Sequence, residues 1–504
     1  MLTRPTLPPL LMLVLSVAAG LLLGLGQAPM GVWLATIVGV ALLTWLMIGL
    51  RGRTAFGWGT LAGLALNTLT ISWVSVLGVW VAVALVAFMA LWWGLLGLIV
   101  SRLVTLRGWA FLVPAAWVAI EFGAGSVPFG GFPWLRLGHT TVDQPMSGFL
   151  SLVGVTGVSY LVALVGVLGL WAATTPTVRI KSIAGIVALF VVGGLANLLP
   201  QKQPEQSVTV AMVQPNVNRA EKGSSSYARS VTNNALSETI FATALARTQG
   251  EKVDFVLWPE NATDVDPVND AETRRLVELS AAIAEVPIFV GAVTDGPKPD
   301  TRQTSSIWWD PQTGPTATYH KRNLVPFGEY IPFREQLLPV LPILRQVGRD
   351  SVPGEGSGVV EVATGEYGHL RVGTIICFEL AYDDTVYDLI RDGAEVIVSQ
   401  SNTNTYVGTF EPHQQLVLNR VRAMETGREV LASTLNSYSA VIDTHGRIVE
   451  QAEELDAATL IATVPLRYNV NLSVRLNPTI SWLAVAATLL ALGATIVRKR
   501  PDPR

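Results

Sequence analysis

The chain has 504 residues, 50% of them hydrophobic and 14% charged, with a formal net charge of −3 and a mean hydropathy of +0.43. Soluble domains carry about 25% charged residues, so an ordinary soluble protein is excluded, and no basic stripe offers a footprint for nucleic acid. The single cysteine, Cys377, excludes an internal disulfide and leaves the redox compartment open.

Charge is unevenly spread. Between Thr54 and Val178 the charged residues are Arg102, Arg107, Glu121, Arg136 and Asp143 alone. From about Gln201 to Tyr468 charge returns at ordinary density, and from Leu476 the chain is apolar again until Arg498. Three parts are expected: an N-terminal transmembrane bundle of seven spans (1–200), a polar α/β domain (201–470), and a last span with a basic tail (471–504).

About 20 apolar residues cross the hydrocarbon core. Candidate spans fall at about 8–28, 31–50, 56–77, 79–101, 108–125, 153–173, 180–199 and 478–497, eight in all. The first competes with a secretory signal, but its apolar run is longer than a usual h-region and no clear A-x-A site follows. Arg4 precedes the first span. Arg51 and Arg53 follow the second, Arg102 and Arg107 the fourth, Arg179 and Lys181 the sixth, and Arg498, Lys499 and Arg500 the eighth. The connections after the first and third spans carry no Lys or Arg. Every second connection is basic, which places both termini in the cytoplasm and the polar domain outside it. A free thiol out there risks oxidation, so its retention needs a reason. The segment "EFGAGSVPFGGFPWLRLG" (121–138) lies on the same side. Either Phe132 and Trp134 are interfacial anchors, or the segment is a re-entrant floor under the outer domain. Glu121, near a span end, reads as interfacial.

Within the polar domain short β-branched runs recur at 207–214, 253–260, 286–293, 305–310, 369–379, 394–400, 429–434, 439–451 and 459–466. Residues 228–249 and 414–428 have helical spacing. Strands alternating with helices indicate α/β layers. Patterning fails over 332–356, a proline-broken stretch holding Leu337, Leu338, Val340, Leu341, Ile343 and Leu344. It is either a loop packed on the domain or a lid or membrane-dipping arm.

There is no G-x-S-x-G elbow and no H-E-x-x-H, and the five histidines (139, 320, 369, 413, 445) are scattered, so neither metal nor cofactor is expected. A Cys–His pair through His413 or His320 stays open. Three polar residues sit in contexts that need explaining. Glu260 ends an apolar strand in "LWPEN", where a cap or solvated turn is the ordinary alternative. Lys321 follows the hairpin-like "DPQTGPTATY", where a lysine is normally solvent-facing. Cys377 ends a buried run in "GTIICFEL", where a thiol is usually a small core hydrophobe.

Together, "WPE", "HKRNLVPFGE" and "ICFE" at these separations resemble the Glu–Lys–Cys triad of the nitrilase superfamily, an αββα sandwich. The preceding bundle and the single following span narrow the resemblance to the apolipoprotein N-acyltransferase family. "GFPWLRLG" (131–138), "SNTNTY" (401–406) and "RAMETGR" (422–428) are similar to that family's blocks, and the resemblance covers nearly the whole chain. Two departures touch the substrate pocket. Phe378 stands where relatives often have Tyr, and the loop after "VQPN" lacks the Trp often found near the position of Gly223.

The resemblance implies an acyltransferase that works through a Cys377 thioester, with Glu260 as base and Lys321 as oxyanion partner. Covalent catalysis splits the transfer into two easier steps. Glu329, Phe378 and Glu379 are expected around the triad: Glu329 as a second carboxylate, Glu379 as a residue shaping the elbow. Leu337, Leu338, Leu341, Leu344 and Tyr406 are expected to gate acyl chains. The implied partners are a phospholipid donor, a diacylglyceryl-modified apolipoprotein acceptor and the bacterial inner membrane; a monomer is expected. The rivals are a membrane-tethered amidase using the same residues, a transporter or receptor with an outer binding domain, and a catalytically dead binding module.

Overall fold

The computed structural model describes residues 7–199, 204–217, 227–364 and 368–497. Arg4, Gly223 and Arg498, Lys499 and Arg500 lie outside them. The chain divides into two units, Met1–Pro200 with Gly408–Val417 and Asn471–Arg504, and Gln201–Val407 with Leu418–Val470.

The first unit is helical, with α1 (Pro9–Leu25), α2 (Trp33–Met47), α3 (Gly52–Ile71), α4 (Val79–Leu103), α5 (Trp109–Ala124), α6 (Leu150–Thr174) and α7 (Arg179–Ala196). With the C-terminal helix Leu472–Val497, eight helices occupy the eight apolar runs. Among the described residues, five stretches are long and apolar enough to cross a membrane: Gly52–Leu77, Val79–Leu103, Pro145–Thr174, Pro176–Ala196 and Leu472–Val497. The other three, α1, α2 and α5, have 17, 15 and 16 residues and are shorter. Their apolar runs continue past the helix ends: α2 stops at Met47, where Ile48 turns extended with a ψ of 124° and Gly49 follows with a φ of 71°.

The 121–138 segment is more buried than its composition suggests. Glu121 is an interior residue whose Oε1 accepts the Leu137 N–H at 2.8 Å. Trp134 is also interior, so it is no interfacial anchor: its Nε1 donates to Gln414 Oε1 at 2.7 Å, and Trp73 donates to the same oxygen at 3.0 Å. The Gln414 amide nitrogen donates to the carbonyls of Ala28 and Thr70, which satisfies a buried group that would otherwise be costly.

The second unit begins with β1 (Ser207–Gln214), α8 (Tyr227–Gln249), β2 (Phe255–Leu257), α9 (Ala271–Ala284), β3 (Ile288–Asp295), β4 (Thr301–Asp310) and β5 (Gly314–His320). It continues through α10 (Arg334–Leu337), β6 (Asp350–Ser351), β7 (Val359–Thr364), β8 (Gly368–Ile376), α11 (Asp383–Arg391) and β9 (Val396–Ser401). Helix α12 (Glu411–Thr426), β10 (Val430–Thr434), β11 (Ala440–Ile442), β12 (Ile448–Gln451), β13 (Ala458–Pro465) and α13 (Leu472–Val497) complete the chain.

Two sheets form, ordered β13-β1-β2-β3-β4-β5 with β6 on β4, and β12-β11-β10-β9-β8-β7. Strand pairs β1–β2, β2–β3, β8–β9 and β9–β10 are parallel. Alternation of side chains sorts the interior. Val208, Val210, Met212, Phe255, Leu257 and Phe289 pack with Leu370, Val372, Val396, Val398 and Leu431 between the sheets. The residues between them in sequence, such as Ala211, Val213, Val256 and Val290, pack with α8 and α9 residues Ala235, Ala242, Val277 and Ala281. This period of two is what a sheet buried on both faces requires. The run expected as one strand over 439–451 is a hairpin, β11–β12, because Asp443 accepts the N–H groups of His445 and Arg447 and turns the chain.

Candidate active site

Four strand ends build the site. Strand β2 stops at Leu257, and Trp258-Pro259 carry the chain to Glu260. Strands β5, β8 and β9 end one residue before Lys321, Cys377 and Asn402. Ligands of α/β sheets bind beyond the carboxyl ends of the strands, where side chains leave the ladder. The Glu260 segment lies so close to β3 that a Cβ on Gly291 would stand 2.1 Å from the Pro259 carbonyl oxygen and 2.7 Å from Glu260 Cα. Beneath it, the buried Gln400 donates to the Trp258 carbonyl at 2.6 Å and accepts from Ser306, joining the two sheets.

Glu260, Lys321, Glu329 and Cys377 converge. Glu260 Oε2 accepts the Asn402 N–H at 2.7 Å, and its Oε1 lies 3.5 Å from Lys321 Nζ. The Cys377 thiol hydrogen-bonds to the same carboxylate. Lys321, 2% exposed, donates to Glu329 Oε1 at 3.0 Å, and Glu329 Oε2 accepts the Val325 N–H at 2.8 Å. The lysine is therefore interior and doubly paired, not solvent-facing.

Burial pushes the Glu260 carboxyl above its ordinary range; Lys321 pulls it down and Glu329 pushes it up. For Lys321 burial acts downward, but Glu329, Glu260, Cys377 and Glu379 outweigh it, so the ammonium stays charged well above its usual range. An interior carboxylate held above its ordinary range, beside a fixed cation and a thiol, is an arrangement able to accept a proton.

Cys377 opens a 3₁₀ turn (Cys377–Ala381) with a φ of 52°, in the left-handed region that non-glycine residues rarely occupy. Such a backbone costs about 1–3 kcal/mol and persists only where its surroundings over-determine it. The surroundings do. Glu379, fully buried, accepts from the N–H groups of Ile376 (2.9 Å), Arg322 (2.8 Å) and Asn323 (3.1 Å) and from the Tyr319 hydroxyl (2.8 Å). One carboxylate thus ties the Cys377 elbow to the Lys321 loop. Burial pushes its pKa up, and the N–H donors and Lys321 pull against that. On the other side Arg422 donates to the carbonyls of Leu380 (2.7 Å) and Ala381 (3.1 Å) and pairs with Asp383 and Glu425. Phe378 is buried, edge-on to Tyr382 at 5.6 Å.

The gating candidates lie elsewhere in the chain's course. Leu337 ends α10, Leu338 follows it, and Leu341 and Leu344 flank or enter the 3₁₀ turn Pro342–Val347. Leu341 is exposed, as are Phe333, Val340 and Ile343. Tyr406 closes the turn Asn404–Tyr406 and is half-buried. The arm that lacks patterning in sequence thus consists of two short helical turns with an apolar outer surface.

Sequence reasoning did not single out Asn402, Gln400, Arg422 or Asp264. The first three sit in or beside the "SNTNTY" and "RAMETGR" blocks, which flagged the segments without showing which atoms work. Asp264, four residues after Glu260, is half-buried; burial pushes its carboxyl up to about 6, opposed by Arg302 and reinforced by Glu260.

Residues 19–168 match the apolipoprotein N-acyltransferase N-terminal domain, and residues 209–470 match the carbon-nitrogen hydrolase family. An apolipoprotein N-acyltransferase of Mycolicibacterium smegmatis is 30% identical over 97% of this chain and 86% of its own length. This chain belongs to the apolipoprotein N-acyltransferase family. It is an acyltransferase with a nitrilase-like domain and a membrane-type helical unit. Apolipoprotein N-acyltransferases of Shewanella oneidensis and Coxiella burnetii are 26% and 28% identical over 90% and 88% of the chain, and 90% and 91% of their own. Among solved structures, a mutant amidase of the nitrilase superfamily from Nesterenkonia aligns with 53% of this chain and 93% of its own at 16% identity, with a TM-score of 0.38.

Proposed function

We propose that Cys377, Glu260 and Lys321 carry a fatty acyl group from a membrane phospholipid to the α-amine of the diacylglyceryl-modified N-terminal cysteine of apolipoproteins. The supporting observation is the meeting of thiol, carboxylate and ammonium in one interior centre of a family member. In the first half-reaction the Cys377 sulfur attacks the ester carbonyl while Glu260 takes the thiol proton. The C–O bond breaks, and Glu260 returns that proton to the departing lysophospholipid alcohol. In the second half the amine nitrogen attacks the thioester, the C–N bond forms and the C–S bond breaks. Lys321 Nζ and the N–H after Cys377 face the oxyanion in both halves; losing one such donor costs about 3–4 kcal/mol. Glu329 holds the ammonium in place.

Water must be kept from the thioester. The apolar turns at 334–347 carrying Leu337, Leu338, Leu341 and Leu344, together with Tyr406, fit a gate that admits acyl chains. Arg51, Arg53, Arg102, Arg107, Arg179 and Lys181 mark alternate connections as cytoplasmic, which puts the catalytic unit on the outer face of the bacterial inner membrane and both termini inside. The working form is a monomer.

Mass spectrometry of lipoprotein amino termini from cells with and without this protein tests the reading. An amide-linked acyl group that disappears with the protein supports it; unchanged termini, or release of free acid from small amides, would assign the site to hydrolysis instead.

A further inference from the structure

The proton balance of the second half-reaction leaves one proton without an acceptor. An α-amino group has a pKa of about 8 and reaches the site mostly as ammonium at neutral pH. Making an amide from it and a thioester removes two protons from nitrogen. One goes through Glu260 back to the Cys377 sulfur. The other must leave by a different base. Lys321 is charged and cannot take it, Glu329 is committed to Lys321 and the Val325 N–H, and Glu379 is enclosed by four donors.

Asp264 is free of such commitments. Glu260 and Arg302 both act on its carboxylate electrostatically, yet among the described residues it accepts no hydrogen bond and forms no ion pair. It is also only partly buried, so a proton it accepts can pass on to water. The stretch joining it to Glu260 keeps two further oxygens without partners among the described residues, Asn261 Oδ1 and the hydroxyl of the fully buried Thr263. Unpaired acceptors beside a free carboxylate are costly in isolation and are satisfied by a ligand rich in N–H donors.

We propose that Asp264 is the second proton acceptor of aminolysis: it receives the acceptor's α-ammonium beside Glu260, takes one proton from its nitrogen and hands that proton to solvent. The inference rests on the thioester reading of Cys377. A neutral nucleophile needs no such group, since its single surplus proton returns to sulfur.

The test separates the two half-reactions in the full-length protein. Wild type and Asp264→Asn are first acylated with phospholipid alone and followed by intact mass. The acyl-enzyme is then mixed with either a synthetic S-diacylglyceryl-cysteinyl peptide with a free amino terminus or hydroxylamine, which is mostly uncharged at about pH 6.5, where nearly all of the peptide amine is protonated. The expected result is normal acylation, normal release by hydroxylamine, and transfer to the peptide slowed at least about tenfold. That defect should shrink as pH rises past the amine's own pKa, the groups acting on position 264 being Glu260 and Arg302. Asp264→Glu should restore most of the transfer. Equal losses with both nucleophiles would reduce Asp264 to a structural role, and unchanged peptide transfer would remove it from the reaction. Wild type that never acquires an acyl group would instead overturn the thioester reading itself.

Discussion

Replacing Lys321 with methionine removes one charge while keeping most of the stem, and the surroundings of the ammonium set the consequences. It lies 3.5 Å from Glu260 and 3.0 Å from Glu329, with its side chain 2% exposed. At an effective dielectric of about 20, unit charges at such separations interact by about 5 kcal/mol. Desolvation offsets part of this, and breaking a buried pair costs about 3–5 kcal/mol because the partner is left uncompensated. The variant should therefore melt earlier. Its catalysis should change in two separable ways. Lys321 is the strongest influence holding the Glu260 carboxyl down against burial. Without it that pKa rises further, and the ascending limb of acylation rate against pH, which needs the carboxylate, moves to higher pH. Above that limb the missing oxyanion donor remains, worth about 10²–10³-fold in rate. Single-turnover acylation of Cys377 by phospholipid, followed across pH and normalised to folded protein, reads both effects. A limb that stays put or moves to lower pH, or a full rate on the alkaline plateau, would refute the assigned geometry.

Glu329→Gln should move the same limb the other way, since Glu329 pushes Glu260 up; the acylation pH profile checks the sign. Glu379→Gln places an amide where four donors converge, and should lower stability by about 1–3 kcal/mol for each donor left unsatisfied, measured by thermal melting in detergent. Arg422→Met strands the buried Glu425 and frees the Leu380 and Ala381 carbonyls, for a loss of about 3–5 kcal/mol in the same assay. The exposed Arg391, paired with Asp388 on the surface, is the control: its alanine variant should change stability by less than about 1 kcal/mol.

The strands were largely legible because their β-branched runs are buried on both faces, and the apolar helices because charge vanishes from them. Helices α9 and α11 and strand β7 were not. Helix α9 has a clear signal in hindsight, the Asp270 side chain capping the Thr273 N–H, but its buried face is Thr273, Val277, Ser280 and Ala281, mostly small or polar residues that do not read as an apolar stripe. Strand β7 is a short edge strand with Glu361 in its middle. Around the site, Glu260, Lys321 and Cys377 were legible as a spaced motif. What the motif cannot convey is how the backbone is held. The four donors on Glu379, the Gln400 bridge between sheets and the Arg422 grip on the elbow each join positions far apart in the chain, so only folding brings their atoms together. Trp134 misled for the same reason: an aromatic in a Gly- and Pro-rich segment suits an interface, but its ring nitrogen finds Gln414, 280 residues away.

The central claim is that Cys377 holds the acyl group between donor and acceptor. Intact-mass analysis of the purified protein incubated with phospholipid alone addresses it directly. Wild type should gain the mass of one acyl chain, lost on hydroxylamine treatment, and Cys377→Ser should gain nothing removable by hydroxylamine under the same conditions. A wild-type protein that turns over at full rate while its mass never changes, even when the reaction is quenched at early times, would contradict the account.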